Sequence, residues 1–182
     1  MKKLLIALSL IFTATTANAA DFIHDTTDRG IELIIIDGKI LKGDGDKFVN
    51  LLNKYPKTKA IVLNSIGGLV YEGMYIADTV RDRGLNTFVL NENVCFSICA
   101  PIFFSGKNKF IQEHAYLGVH AAHDIRDNSI SPEVNALIAW YFGALGYDIR
   151  LVELWISAKP DKLNYITAQI NEELNLGIQS ID

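Results

Sequence analysis

Residues 63–74 read Leu63-Asn64-Ser65-Ile66-Gly67-Gly68-Leu69-Val70-Tyr71-Glu72-Gly73-Met74. The short apolar run 60–63 has the length of a buried strand, and Asn64 to Gly68 forms a sharp turn after it. From 69 to 83 the spacing is helical, and Gly84 is placed to end the helix. Strand, glycine turn and helix in that order make one α/β unit. The same alternation extends outward. Residues 31–36 are apolar and β-branched, closed by the turn signal Asp37-Gly38. Phe48, Leu51, Leu52 and Tyr55 recur at i, i+3, i+4 and i+7, which predicts an amphipathic helix stopped by Pro56. Further strands are expected over 87–90, 109–111 and 116–120. Helices are expected over 131–145 and 148–158, with Ser131 and Asp148 as N-caps and Pro132 in a first turn. A last helix spans 167–175. Residues 21–30 are polar and read as a lead-in. Strands alternating with helices predict an α/β fold with mostly parallel pairing, and continuously apolar strands predict a sheet covered on both faces.

Composition narrows the function classes. The chain has 182 residues, 49% of them apolar, enough for one core. With 21 acidic and 17 basic residues the formal charge is −4, so the basic surface of a general nucleic-acid binder is missing. The first nineteen residues read separately. Lys2 and Lys3 precede residues 4–12, apolar but for Ser9, and Ala17-Asn18-Ala19 follows as an A-x-A cleavage site. The apolar run is too short to span a bilayer core of about 30 Å. Residues 1–19 are therefore expected to be a signal peptide, and 20–182 a single domain. Cleavage would remove two lysines and no acid, taking the charge from −4 to −6. The expected location is periplasmic or secreted, with no membrane attachment after cleavage.

Three segments at the carboxyl ends of expected strands can carry chemistry, which is where α/β sheets gather their sites. Gly67-Gly68 can aim backbone N–H groups at an oxyanion, although a plain tight turn is the simpler reading of the spacing alone. Ser97 sits at a strand-to-helix junction. It suits a nucleophile with the Ile98 N–H beside it, although an N-cap is the better reading of its position alone. His120 can be a general base or a satisfied core residue, with His114 and His123 as rivals. Cys95 and Cys99 are the only cysteines, and export permits a disulfide between them. Two cysteines with His120 or His123 lack the second ligand pair of a structural zinc site, so no metal is expected.

These residues resemble the ClpP serine peptidases. Residues 63–74 are similar to the family's "INSPGG…GM" segment. Ser97 falls where its nucleophile falls, and Leu117-Gly118-Val119-His120 where its "MIH" histidine lies. Asp161-Lys162-Leu163 with Thr167-Ala168 and Leu176-Gly177-Ile178 resembles the segment that carries its acid. The likeness spans roughly residues 31–182. It implies a ClpP/crotonase-like spiral of ββα units with a short helical C-terminal region. It also implies a catalytic set of Ser97, His120 and Asp161, with the N–H groups of Gly68 and Ile98 as the oxyanion hole, and no cofactor. Asn164 and Asp148 compete with Asp161. The sequence departs from the family at Ile66 (Pro), at Cys99 (Gly) and at Ala121-Ala122 (Gln-Pro). Its segment between His120 and Asp161 is shorter than the family's handle.

The resulting expectation is a periplasmic serine hydrolase, a ClpP-like peptidase acting through an acyl-enzyme on peptides or unfolded polypeptide, with homo-oligomerisation compatible. The alternative is a catalytically inactive binding protein on the same fold. A crotonase-like acyl-transfer enzyme or hydratase ranks below both, because no CoA-binding signature is evident.

Overall fold

A computed structural model describes residues 19–124 and 126–182. The expected signal peptide lies outside the described residues apart from Ala19. In chain order the elements are β1 (Asp21–Thr26), β2 (Glu32–Asp37), α1 (Asp44–Lys54), β3 (Ala60–Asn64), α2 (Val70–Asp82), β4 (Asn86–Val89), β5 (Val94–Phe96), α3 (Cys99–Phe104), β6 (Lys109–Gln112), β7 (Tyr116–Val119), α4 (Pro132–Ala144), α5 (Ile149–Ser157), β8 (Asn164–Tyr165), α6 (Ala168–Glu173) and β9 (Ile178–Ile181). Six strands form one sheet in the order β1-β2-β3-β4-β6-β9, and β5-β7-β8 form a second. Pairing is parallel from β2 to β9. β5 also runs parallel to β7, with Phe96 opposite Gly118.

The expected polar lead-in is corrected: residues 21–26 are an edge strand, antiparallel to β2 from Asp21 opposite Asp37 to Thr26 opposite Glu32. It reads as polar because one face meets water. Its inward residues pack, Phe22 on Phe48 at 6.1 Å between ring centres and His24 stacked on Tyr55 at 3.5 Å. Only β3 has four successive buried residues, Ala60 to Leu63. β2 and β4 alternate between buried and half-buried positions, so the two-sided cover expected of the whole sheet is complete only at its centre. Ile34, Ile36, Ile61 and Leu63 pack in the same core as Phe48 and Leu52 of α1 and Ile76, Ala77 and Val80 of α2.

Two features fix the end of β3 where the glycine turn begins. The Asn64 side chain accepts from the Val94 N–H at 3.1 Å and donates to Asp37 at 2.7 Å. The turn then pairs with Ile40, whose N–H donates to the Gly67 carbonyl and whose carbonyl accepts from the Leu69 N–H, both at 2.9 Å. A Cβ on Gly68 would stand 2.0 Å from the Ile40 carbonyl oxygen, so only glycine fits. The segment around Ile40 is itself held by Glu72 of α2. Helix α1 has no side-chain cap of its own, and the Glu72 carboxylate accepts from the Gly43 and Gly45 N–H groups, each at 2.9 Å. Replacing Glu72 with Ala should cost about 2 kcal/mol in urea unfolding, the value of charge-assisted bonds to N–H groups left orphaned. An unchanged midpoint would contradict this.

Candidate active site

Ser97 takes φ +54°, a left-handed conformation that a non-glycine residue adopts at a cost of about 1–3 kcal/mol. Its N–H donates to the Gly118 carbonyl at 3.0 Å, and its carbonyl accepts from the Ala100 N–H at 2.9 Å. A disulfide joins Cys95 to Cys99 across it, with the α-carbons 5.2 Å apart and both residues fully buried. The i, i+4 spacing suits this bond because the cysteines do not share a helix. Cys95 lies within β5, Cys99 begins α3, and the left-handed step lies between. Both sulfurs are spent in the bond, which removes the cysteines as metal ligands. Nor is Ser97 the N-cap of α3. Ile98 precedes the helix, and no side chain caps it.

The glycine turn lies against this loop. Gly67 has φ +89°, and a Cβ there would stand 2.7 Å from the Ser97 Cβ and 2.8 Å from the Phe96 carbonyl oxygen. The Gly67 N–H is taken by Ser65 Oγ at 3.1 Å. Among the described residues, the N–H groups of Gly68 and Ile98 meet no acceptor. Buried amides are nearly always paired, so an unspent donor at Ile98, which is fully buried, is informative.

His120 follows β7 as Ser97 follows β5, so the two leave the same end of adjacent parallel strands. His114 precedes Tyr116, which pairs with Val94, and so lies at the opposite end of β7. His120 is half-buried. Burial pushes its imidazole below the ordinary pKa, opposed by the Ala121 carbonyl at 2.9 Å from Nδ1 and reinforced by His123, whose ring centre is 5.5 Å away. Asp161 is exposed on the turn after α5. With His120 it lines a cleft of about 480 Å³ that Phe96, Leu163 and Tyr165 also line. Asp148 is spent elsewhere. It caps α5 by accepting from the Arg150 N–H, and the Arg150 guanidinium holds its carboxyl down at about 2. Asn164 donates to the Leu154 carbonyl and to Ser157.

The structure thus packs the Gly67-Gly68 turn against the Ser97-Ile98 turn, and sets His120 and Asp161 on one cleft. No hydrogen bond joins Ser97 to His120, or His120 to Asp161, among the described residues. Two side chains escaped the sequence reading: Asn135 of α4 and Trp155 of α5, which flank the segment after His120. The available signal was one polar residue inside the apolar run Val134-Asn135-Ala136-Leu137-Ile138, since a polar group among buried ones needs a reason.

No family model matches the chain, and no curated protein matches it in sequence. Solved structures do match in fold. A mutant of the 1510-N membrane-bound stomatin-specific protease is 15% identical, with a TM-score of 0.61 over 81% of this chain and 77% of that one. The ClpP protease catalytic domain from Plasmodium falciparum is 18% identical, with a TM-score of 0.61 over 82% and 84%. A ClpP1 mutant from Listeria monocytogenes is 15% identical, with a TM-score of 0.60 over 82% and 91%. The fold is therefore the mixed α/β fold of the ClpP-like serine proteases.

Gly67→Ala should destabilise the protein by about 2–4 kcal/mol in denaturant unfolding, because its Cβ meets backbone that cannot yield. The disulfide has its own check. Denatured protein from an oxidising compartment should show no free thiol, and two after reduction.

Proposed function

We propose that the chain is an exported serine peptidase with Ser97 as nucleophile, His120 as general base and Asp161 as the carboxylate that orients the imidazole. The observation that carries this reading is the turn at Ser97: a serine in a left-handed conformation between strand and helix, pressed against Gly67, with unspent backbone donors at the next residue of each turn, Ile98 and Gly68. Ser97 Oγ attacks the carbonyl carbon of a peptide bond while His120 takes its proton. The carbonyl oxygen becomes an oxyanion between the Gly68 and Ile98 N–H groups. The C–N bond then breaks, His120 returns the proton to the leaving amine, and an ester remains on Ser97. Water, deprotonated by His120, attacks that ester and frees the acid. The substrate is short or unfolded polypeptide, since the cleft beside His120 is open to extended chain. One solved structure alike in fold is a mutant of the 1510-N membrane-bound stomatin-specific protease in complex with a substrate peptide. Export is supported by the buried disulfide and by the start of β1 at Asp21, just past the expected cleavage point. Among the described residues no helix is long and apolar enough to cross a membrane. The reading includes a homo-oligomer, to be read by sizing of the mature protein.

One observation favours a second reading, a non-catalytic binding protein. His120 Nδ1 lies against the Ala121 carbonyl rather than a carboxylate. Labelling separates the two. A fluorophosphonate should label the wild-type protein and leave Ser97→Ala unlabelled with its melting temperature intact. Folded wild-type protein that never labels would establish the binding protein instead.

The pH dependence follows from the imidazole. A base acts only when neutral, and burial disfavours its charged form, so protonation requires more acid than usual. The labelling rate should hold as pH falls through about 6.5, the ordinary histidine value, and drop only below it. A rate that halves above that value would contradict the assignment.

A further inference from the structure

Asn135 stands in the first turn of α4 at 8% exposure, on an inward side it shares with Ile138, Tyr141 and Phe142. Its amide is fully used. Oδ1 accepts from the Ala122 N–H at 2.8 Å and from the Trp155 indole N–H at 2.9 Å. Nδ2 donates to the Ala122 carbonyl at 2.9 Å and the Ser131 carbonyl at 2.7 Å. One side chain therefore ties together α4, α5 and the segment leaving His120. Helix propensity alone would place Ala or Leu here, and burying an amide is tolerated only when its partners are met. The indole that Asn135 anchors lies nearly parallel to the His120 ring, at 14° and 6.5 Å between centres. The next residue is held too. The Ala121 N–H donates to the Ala158 carbonyl at 3.0 Å, and the Ala121 carbonyl receives His120 Nδ1.

We propose that Asn135 is a positioning residue for His120, fixing the imidazole through the backbone of Ala122 and the ring of Trp155. The inference rests on the reading of His120 as the base for Ser97, but its geometry concerns His120 alone. The titratable groups around that ring are His123 on its own loop, Asp161 and Lys162 on the turn after α5, and Tyr165 of β8.

The test compares Asn135→Ala with Tyr141→Phe, a control on the same helix that breaks the buried bond to Ser105. Two readouts are taken at a temperature where both variants are folded: fluorophosphonate labelling rate against pH, and the NMR titration of the His120 ring protons. Asn135→Ala should label about tenfold to a hundredfold more slowly, as expected when a reacting group loses its placement. Its His120 titration should move up toward the ordinary imidazole value as the ring loosens into water. Tyr141→Phe should lose stability and shift neither. If Asn135→Ala fails to fold, Trp155→Phe keeps an apolar ring, removes the indole donor, and should move the titration in the same direction by less. Unchanged titration in whichever of these variants folds, or an equal shift in Tyr141→Phe, overturns the proposal. Absence of labelling in the wild type would count against the peptidase reading only, because the titration still decides the role of Asn135.

Discussion

The backbone at Ser97 makes a left-handed step that its own chemistry disfavours, and much of the structure is arranged to hold it there. The step is clamped from three directions. The disulfide closes the loop from Cys95 to Cys99. The Gly118 carbonyl takes the Ser97 N–H. The glycine turn leaves no room for a side chain between itself and the loop. A strained residue persists only where its surroundings over-determine it. Here the supports come from β3, β5 and β7, so the hydroxyl stands where three strand ends converge. The glycine turn depends in turn on Ile40, and Ile40 lies next to the start of α1, which Glu72 pins to α2.

The histidine side of the cleft is built differently. No disulfide or tight turn holds His120. It relies on a helical hairpin, α4 and α5, which the Asn135 amide and the Ala158 carbonyl at the end of α5 tie to the segment after β7. Burial keeps the imidazole inclined to its neutral form, the state a general base needs. Asp161 lines the same cleft from an exposed turn, so the third member of the proposed set is also the one least constrained by packing. Catalytic contacts in ligand-free enzymes are often long and tighten when substrate binds.

Residues 60–84 were legible because every local signal agreed: an apolar run of strand length, a glycine pair, helical spacing and a terminal glycine. The α4 and α5 helices were legible for the same reason, through Pro132 and Asp148. The edge strand β1 was not, because its inward contacts, Phe22 to Phe48 and His24 to Tyr55, are made with residues far along the chain. The left-handed step at Ser97 left no mark either. Serine at a strand-to-helix junction looks like a cap, and only the path of the backbone shows that it is not. Their places at strand ends brought out Ser97 and His120, and resemblance to a known family favoured their catalytic reading and added Asp161. The Asn135 network lay outside the motifs that carry that resemblance and came into view only when Ala122 and Trp155 met Asn135 in space.

The most direct test is a crystal structure of the mature protein after reaction with a fluorophosphonate. The account predicts a covalent bond from Ser97 Oγ to phosphorus, with the phosphonyl oxygen within hydrogen-bond reach of both the Gly68 and Ile98 N–H groups. An adduct on another residue, or a folded and unmodified Ser97 under saturating reagent, would contradict it.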